Sequence, residues 1–596
     1  MGFGPATAGF LTTLSRGLSE DASLTSAAMP GMPPQVLCYE RADDIGFGVS
    51  GVVTQARAIR ASFPDLDLSQ IPMATPVAGE KLVYLFDPIG ASRRSLPLRV
   101  VERILRTLKP LLRMRHHAIE IPWIPKFLRK DRGLVLSMGQ FTQWAAAQLM
   151  SAGNVQIWPA APVAEPLLQA GRVEGIRLMD QGTDEEGHPE TGFTPGMDVR
   201  AALTVVGDGP VGAIGQQLDE AFGLPEGNSR REWALGMKMV LDLPEGTDLQ
   251  PGTVFHTIGY PEPEIFGFLY VHPERVASVG IFVPSWFDSP TRTVWRYLQH
   301  YMQHPYLWRF LQGGRLRSWG AKSLQESGRR GEPFLALDGC ARIGEGSGTT
   351  NILSGSGVDE AWCSGVLLGE AVLELWKRGQ AFTKAHLEEA YVERRRASWL
   401  DRQLRAAAHA RDGFDRGILR GLAGMAVTGL TRGRLHLPFR SRAIPERPAT
   451  LEEFYRGRIR SRDVEALQSE CRLRNAPMHD AVMRACGWPE IPYDGQLLVT
   501  LQDALLLGGK VQAPGGFRDH VRFRNADVCR GCEARVCVEM CSGQAIAPGA
   551  DGLPTFDREK CVHCGACLWN CTEIDEDGQA NLIFAAGAGG LHSVEN

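Results

Sequence analysis

The sequence has no long apolar run. Its longest apolar stretches, such as AAAQLM and GVLLGEAVLELW, fall well short of the roughly 18 residues of a helical membrane span. It shows no secretory signal at its start. It has no charge excess worth the name: 64 Lys and Arg against 68 Asp and Glu give a net charge of −4, which exerts no overall pull on nucleic acid. It also lacks the dispersed, paired cysteines of a disulfide framework. Eight of its thirteen cysteines fall between residues 529 and 571, a clustering that reads as metal ligands in a reducing compartment. Cys38, Cys340, Cys471 and Cys486 have no partner spacing and are expected to pack as small apolar side chains.

What is there is a chain of 596 residues and 65.3 kDa, 44% hydrophobic and 22% charged. That is the composition of a folded protein, and too long for one core, so two to four domains are expected.

The cysteines carry the sharpest pattern. Cys561, Cys564, Cys567 and Cys571 are spaced C-x2-C-x2-C-x3-C, the ferredoxin run in which three thiolates hold one cluster and the fourth reaches to a second. Cys529, Cys532, Cys537 and Cys541 repeat the design with a longer middle gap. Crossed ligation groups Cys529, Cys532, Cys537 and Cys571 on one cluster, and Cys561, Cys564, Cys567 and Cys541 on the other. Structural zinc is the competing reading, but it usually uses two separated CxxC knuckles, and these runs are crowded for that. Thr572 and Ser542 stand where a proline usually follows the last cysteine.

The opening MGFGPATAGFLTTLSRGL places Gly2, Gly4 and the small Thr7 at the positions of G-x-G-x-x-G, with helical periodicity after them. Glycines there let the backbone approach a pyrophosphate at a helix N-terminus. The preceding strand is missing, because the chain begins at the turn. QVLCYER is an apolar strand ending in Glu40, a suitable partner for a ribose hydroxyl or simply a solvated strand-end charge. LTVVGDGPVGAIG runs a strand into Gly207, Asp208 and Gly209, and a third strand, Gly-rich loop and helix follow from residue 339. Three such units at the start, middle and end suggest a discontinuous flavin fold.

These stretches, in this order, resemble the electron transfer flavoprotein–ubiquinone oxidoreductase (ETF–quinone oxidoreductase) family along nearly the whole chain. DDIGFGVSG is similar to its flavin-contacting stretch, at Ile45, Gly46, Ser50 and Gly51. GTVFHTIGYPEPEIFGFLYVH resembles its quinone-side region, with Phe266 and Gly267 in place of the family's Gly-Gly. IGEGSGTTNILSGSGVDEAWCSG follows its late FAD segment at Gly344, Gly348, Asn351, Gly357, Ser364 and Gly365, with Glu345 where many such flavoproteins place Asp. Cys363, beside that segment, is expected to be structural. The family usually carries one [4Fe-4S] cluster, whereas this chain keeps eight cysteines, and residues 89–120 and roughly 440–490 look like insertions.

The resemblance implies a mixed α/β protein: a discontinuous Rossmann-like FAD-binding domain, an inserted β-rich quinone-binding domain, and a C-terminal ferredoxin-like iron–sulfur domain. FAD-binding parts are expected at 1–70, 136–225 and 336–385, and a membrane- and quinone-side segment at 71–135. The quinone-binding domain falls at 226–335, a helical region with insertion and linker at 386–515, and the ferredoxin-like domain at 516–596. Implied FAD-binding residues are Gly2, Gly4, Thr7, Glu40, Gly46, Ser50, Gly51, Asp208, Gly344, Glu345, Asn351 and Gly357; Phe266 and Gly267 are the quinone-side pair.

The insertion ASRRSLPLRVVERILRTLKPLLRMRHHAIEIPWIPKFLRK mixes arginines with apolar residues. Val100, Ile104, Leu108 and Leu111 recur at helical spacing, and Trp123 and Phe127 suit an interface. Such a helix lies in the headgroup plane or packs as an ordinary surface helix; the resemblance favours peripheral membrane binding, on the cytoplasmic face of a bacterial inner membrane or the matrix side in mitochondria. No nucleic-acid partner is expected. The implied activity uses FAD and one or two [4Fe-4S] clusters to pass electrons from reduced electron transfer flavoprotein, or a ferredoxin-like donor, to ubiquinone or menaquinone. No catalytic acid, base or nucleophile is nominated, because protein in such a relay sets spacing and potentials. Competing readings are a flavin-dependent reductase of isoprenoid double bonds fed by its ferredoxin module, and an electron-carrier subunit without flavin.

Overall fold

The structure, a computed structural model, describes residues 1–26, 29–46, 51–229, 232–284, 294–437, 455, 458–474, 476, 478–507, 510–512, 515–549, 551–573 and 580–593. Residues 440–454 of the insertion expected at roughly 440–490 lie outside these ranges.

The chain opens with helix α1 (Pro5–Glu20), entered through extended Gly4 with Pro5 in the first turn, where a missing N–H costs nothing. Strand β1 (Leu37–Tyr39) follows. Next come β2 (Gly79–Leu85), helix α2 (Leu96–Thr107) and β3 (Ala118–Ile121), then β4 (Gln156–Trp158), β5 (Thr204–Val206) and helix α3 (Ala213–Phe222). Strands β6 (Trp233–Asp242), β7 (Thr253–Ile258), β8 (Phe266–Val271) and β9 (Val276–Pro284) follow, and β10 (Arg315–Gln325) comes after two short helices. The short β11 (Ala336–Leu337) and β12 (Cys340–Arg342) lead to helix α4 (Val358–Lys377), and α5 (Ile418–Thr431) comes later.

The nucleotide-type half is built from two parallel pairs, β1 with β4 and β5 with β12. Between them lie the first two residues. The Met1 ammonium donates to the Val205 carbonyl, Gly207 N–H donates to the Met1 carbonyl, and Gly2 N–H donates to Tyr39. Helix α4 packs directly on α1 because glycines remove the side chains between them. A Cβ on Gly365 would lie 1.9 Å from the Ala6 carbonyl oxygen, and one on Gly9 2.6 Å from that of Trp362. The small-residue pattern in each helix is thus a packing requirement.

The second half is a seven-stranded sheet in the order β10-β6-β9-β8-β7-β2-β3, antiparallel except for the β7–β2 pair. Strands β2 and β3 come from the segment expected as a separate membrane-side piece. The parallel ladder from Thr253–Gly79 to Ile258–Tyr84 makes them part of the same sheet as residues 233–325. One face packs Leu235, Met237, Phe255, Leu269 and Ile281 against helices Val294–Met302 and Pro305–Leu311. Each such side chain contributes roughly 1.5–3 kcal/mol on full burial. The other face turns towards the nucleotide-type half. Register puts Tyr84 opposite Ile258 and Ile258 opposite Phe266, and one row on, Leu82, His256, Phe268, Gly280 and Lys238 lie side by side.

Helix α2 is apolar on its outer face. Leu96, Val100 and Ile104 are 68%, 51% and 54% exposed, and Leu111 beyond it 78%, whereas Leu98 and the carboxylate-bearing Glu102 are buried. Among the described residues no helix is long and apolar enough to cross a membrane.

The C-terminal module is made of short pieces: helices Ala526–Gly531, Val536–Glu539 and Ala566–Asn570, and the paired strands Val521–Phe523 with Leu582–Phe584 and Ile546–Pro548 with Pro554–Phe556. It packs onto the large sheet through Val536, Met540, Val562 and Ala566.

Candidate functional site

Where the two halves face each other lies a cavity of about 630 Å³. At one end it is lined by Gly2, Gly4, Glu40, Asp208, Gly344 and Asn351. The opposite arm is apolar, bounded by Leu82, Ile121, Phe127, Ile258, Leu422 and Met425, and lies beside α2 and α5. The volume falls in the range of small-molecule and cofactor sites.

The glycine end is shaped for close backbone approach. Gly2 has φ +75°, and a Cβ there would sit 2.8 Å from the Gly207 carbonyl oxygen; at Gly4 a Cβ would meet nothing within 4 Å. Glu40 is buried, and its carboxylate accepts the N–H groups of Phe3 at 2.7 Å and Ala42 at 2.9 Å. Asp208 caps α3 by accepting from the Ile214 and Gly215 N–H groups at 3.1 and 2.9 Å. Asn351 folds its loop through Oδ1, which accepts from Leu353 and Ser354 N–H. Gly357 lines the same wall.

The middle of the cavity carries charges that the sequence reading missed. Lys238 Nζ donates to the Gly51 carbonyl at 2.9 Å, and burial brings its ammonium down to about 8. Lys322 is lowered to about 8 for the same reason. Burial raises Glu345, while the Thr350 hydroxyl, 2.9 Å from its Oε1, and the two lysines oppose the rise. The signal for Lys238 was a lone lysine in the apolar strand WALGMKMVLD; the mixed strand RLRSWGAKSLQ gave none for Lys322.

Not every expected residue reaches the cavity wall. Thr7 lies within α1, its buried hydroxyl oxygen 2.5 Å from where a Gly207 Cβ would be, with no hydrogen-bond partner. Gly46 turns against Gln143, and Gly51 meets the sheet at Ser278, one residue before the cavity-lining Val52. These positions shape the backbone behind the wall. Ser50 lies outside the described residues. Phe266 and Gly267 both line the cavity, and a Cβ on Gly267 would meet Tyr301 at 2.6 Å.

The eight clustered cysteines separate into two groups. Cys529, Cys532, Cys537 and Cys571 line one small void together with Asn581. Cys541 instead neighbours Cys561, Cys564 and Cys567: burial raises the Cys541, Cys561 and Cys567 thiols, and the nearby Cys564 adds to the rise in all three. This is the crossed grouping. Several donors point at sulfur: Ala545 N–H to Cys541 at 3.1 Å, His563 N–H to Cys561 at 3.3 Å, and the Asn581 amide to Cys529 at 3.1 Å. Such N–H contacts stabilise thiolate and set cluster potentials. Four thiolates on one zinc would lie about 3.8 Å apart. Among the described residues, the groups of potential ligand atoms within 4.8 Å of one another are His409, Asp412 and His436, and Asp184, Glu186 and His188; neither contains cysteine.

The two cysteine groups sit differently. The loop of the second run touches the cavity: His563 lines it, and Lys322 Nζ is 3.3 Å from both His563 Nδ1 and the His563 carbonyl oxygen. Arg41, one residue after Glu40, donates to the carbonyls of Gly587 and Gly589 and ties the glycine end to the module. The group around Cys529 lies beyond it, flanked by the exposed residues 524–528.

A discontinuous dinucleotide-type half, a sheet closing its cavity and a double-tetrad cysteine module define a flavoprotein-type fold with an attached ferredoxin-like domain. A model of the ETF-QO ubiquinone-binding family matches residues 233–324, the run from β6 to β10. The electron transfer flavoprotein–ubiquinone oxidoreductase of Pseudomonas aeruginosa is 29% identical over 63% of this chain and 64% of its own length. The mitochondrial protein of that name from Arabidopsis thaliana is 30% identical over 54% of this chain and 53% of its own. That of Rattus norvegicus is 27% identical over 93% of this chain and 83% of its own. The chain is thus similar to electron transfer flavoprotein–ubiquinone oxidoreductases along most of its length and to their ubiquinone-binding segment over residues 233–324. With the first two relatives the match spans less than two thirds of their length.

Proposed function

We propose that the protein is a membrane-associated oxidoreductase that transfers electrons from a reduced electron transfer flavoprotein to a quinone, with FAD and two [4Fe-4S] clusters as cofactors. The observation that carries this is the cavity itself: one end is a glycine-lined nucleotide cradle, the other an apolar arm, and the second cysteine loop abuts its wall.

The residues fit these groups. Gly2, Gly4, Glu40 and Asp208 would hold the nucleotide part of FAD; Gly344, Glu345, Asn351 and Gly357 would face its remainder. Cys529, Cys532, Cys537 and Cys571 would hold one cluster, and Cys541, Cys561, Cys564 and Cys567 the other. Bound flavin exchanges electrons singly or in pairs and clusters exchange them singly, which links a one-electron protein donor to a two-electron quinone.

The chain supplies the rest. Lys238 and Lys322 place positive charge in a water-poor cavity, where it favours negative charge arriving on a bound group. Phe266 and Gly267, with the apolar arm, would receive the quinone ring and exclude water around it. The exposed apolar row of α2 would sit at the headgroup level with its arginines on anionic phosphates, bringing the arm to where a lipid-soluble quinone is found.

The test is anaerobic. Reduced electron transfer flavoprotein is mixed with cofactor-loaded protein and a short-chain ubiquinone analogue, and the donor's absorbance is followed. Re-oxidation of the donor only when both are present supports the reading. Donor that stays reduced removes it, and reduction of a prenyl lipid without the donor would favour the isoprenoid reductase.

A further inference from the structure

Quinone reduction takes two electrons and two protons, and an apolar arm supplies no water to deliver the protons. A donor fixed in the wall of the arm would deliver them. One of its wall residues is Tyr84 on β2. Its phenol donates to Glu102 Oε1 at 2.6 Å. Arg94 forms an ion pair with that same carboxylate, approaches the Tyr84 oxygen at 3.4 Å, and is anchored by donation to the Gly259 carbonyl at 2.6 Å. The ring is fixed in place: a Cβ on Gly259 would lie 3.0 Å from its edge, and Phe86 meets it edge-on at 5.1 Å.

Glu102 is the odd residue of α2. The helix exposes its valines and isoleucine and buries a carboxylate, the reverse of an ordinary surface helix. A buried acid needs a partner or a task. Its side chain keeps 6% of its surface accessible, and α2 lies at the surface, with its neighbours Val101 and Ile104 exposed.

Resting on the quinone reading above, we infer that Tyr84 is the proton donor to the quinone and that Glu102, steadied by Arg94, returns the proton from the surface. As two electrons pass from reduced flavin to the quinone, the Tyr84 O–H bond breaks and a quinone O–H bond forms. Glu102, a carboxylate in its resting pair with Arg94, first takes up a proton from solvent acid and then hands it to the phenolate, returning to the carboxylate. Two passes complete the quinol. Arg94 offsets the negative charge that rests on the pair between passes. Burial and the adjacent carboxylate hold the phenol's proton well above its ordinary range, against the pull of Arg94, so the donor stays loaded at neutral pH.

Other titratable groups on the cavity wall are placed differently. His256 leans on Glu80 at 3.3 Å, and Arg411 is paired with Glu326. Neither is linked to α2. Tyr84 joins the apolar arm to the Glu102 carboxylate on the surface helix α2.

The experiment uses full-length, cofactor-loaded wild type, Y84F and E102Q, pre-reduced with dithionite and mixed anaerobically with a short-chain ubiquinone analogue in H2O and D2O between pH 6 and 9. The expected result for Y84F is re-oxidation slowed about 100-fold, within the range for loss of a general acid, with the quinone KM changed less than threefold. Reduction by dithionite and binding of a quinone-site inhibitor to oxidised protein should stay within about fivefold of wild type. E102Q should be slowed about tenfold, with a larger solvent isotope effect and an altered pH profile. Y84F and E102Q re-oxidised within twofold of wild type, with its pH profile, would overturn the inference alone. A wild type that stays reduced would remove the quinone reading and this inference with it.

Discussion

Ser323 donates both its backbone N–H, at 2.9 Å, and its hydroxyl, at 2.7 Å, to the carbonyl oxygen of Cys564. A strand of the large sheet thus grips the backbone of the cysteine loop between two thiols assigned to one cluster. The pair lies next to Lys322 and His563, so sheet, cavity and cysteine module meet within two residues of β10.

Replacing Ser323 with Ala removes one of these two bonds. A cost of about 1 kcal/mol is expected, concentrated in the Cys561–Cys567 loop. Cluster bleaching under chelator should become about fivefold faster for the group containing Cys564 and remain unchanged for the group containing Cys529. Spectra of the two phases check this.

Gly365→Val is expected to abolish flavin retention. Its side chain would enter the space of the Ala6 carbonyl, 1.9 Å from a Cβ, so α1 must move away from α4. Overpacking of this kind costs about 1–3 kcal/mol or more and displaces the Gly2–Gly4 turn that begins α1. The measurement is flavin released per chain after denaturation, with iron content as the control that the module is intact.

Glu262 gives a pH dependence with a definite sign. Burial pushes its carboxyl up to about 7, only partly offset by Arg93 and the Ser92 hydroxyl. The folded state therefore binds this proton more tightly than the unfolded chain. Its stabilising contribution is full below about pH 4.5 and is lost as pH rises through 7, by up to about 3 kcal/mol. Glu262→Gln should flatten that part of the profile, so the variant gains on wild type between pH 5 and 8. Thermal unfolding at the two pH values reads the gap; a gap that does not change with pH would contradict it.

The outward face of α2 predicts lipid binding. Ile104→Glu with Leu111→Glu replaces two exposed apolar side chains, each worth roughly 1.5–3 kcal/mol on burial. Flotation with anionic vesicles should fall at least tenfold, while quinone reduction in detergent is retained. Equal flotation of variant and wild type would place the contact elsewhere.

The elements that were legible in the sequence are those whose chemistry depends on spacing along the chain. The two cysteine runs are local, and their crossed grouping follows from the C-x3-C step, which carries Cys571 and Cys541 away from their own loops. The turn at Gly2 and Gly4 and the strand into Glu40 were legible for the same reason. What was hidden depends on register between distant strands. Nothing in residues 79–85 says that β2 runs parallel to β7, yet that ladder sets Tyr84 beside Ile258 and merges residues 79–121 with the sheet of residues 233–325. Periodicity picked out the apolar row of α2, but its direction was open, because an amphipathic helix reads alike whether its apolar side faces core or lipid. In the structure that row is exposed and Glu102 is buried. Thr7 fits a motif position, and α1 sets it against Gly207, behind the cavity wall.

The most direct measurement is anaerobic purification with flavin and iron quantified and EPR recorded after reduction. The expected result is one FAD and about eight iron atoms per chain, with the interacting signals of two neighbouring reduced clusters. In C532S and C564S about four irons should remain, each variant keeping the other group's signal. Protein that carries zinc in place of iron, or no flavin, would contradict the account.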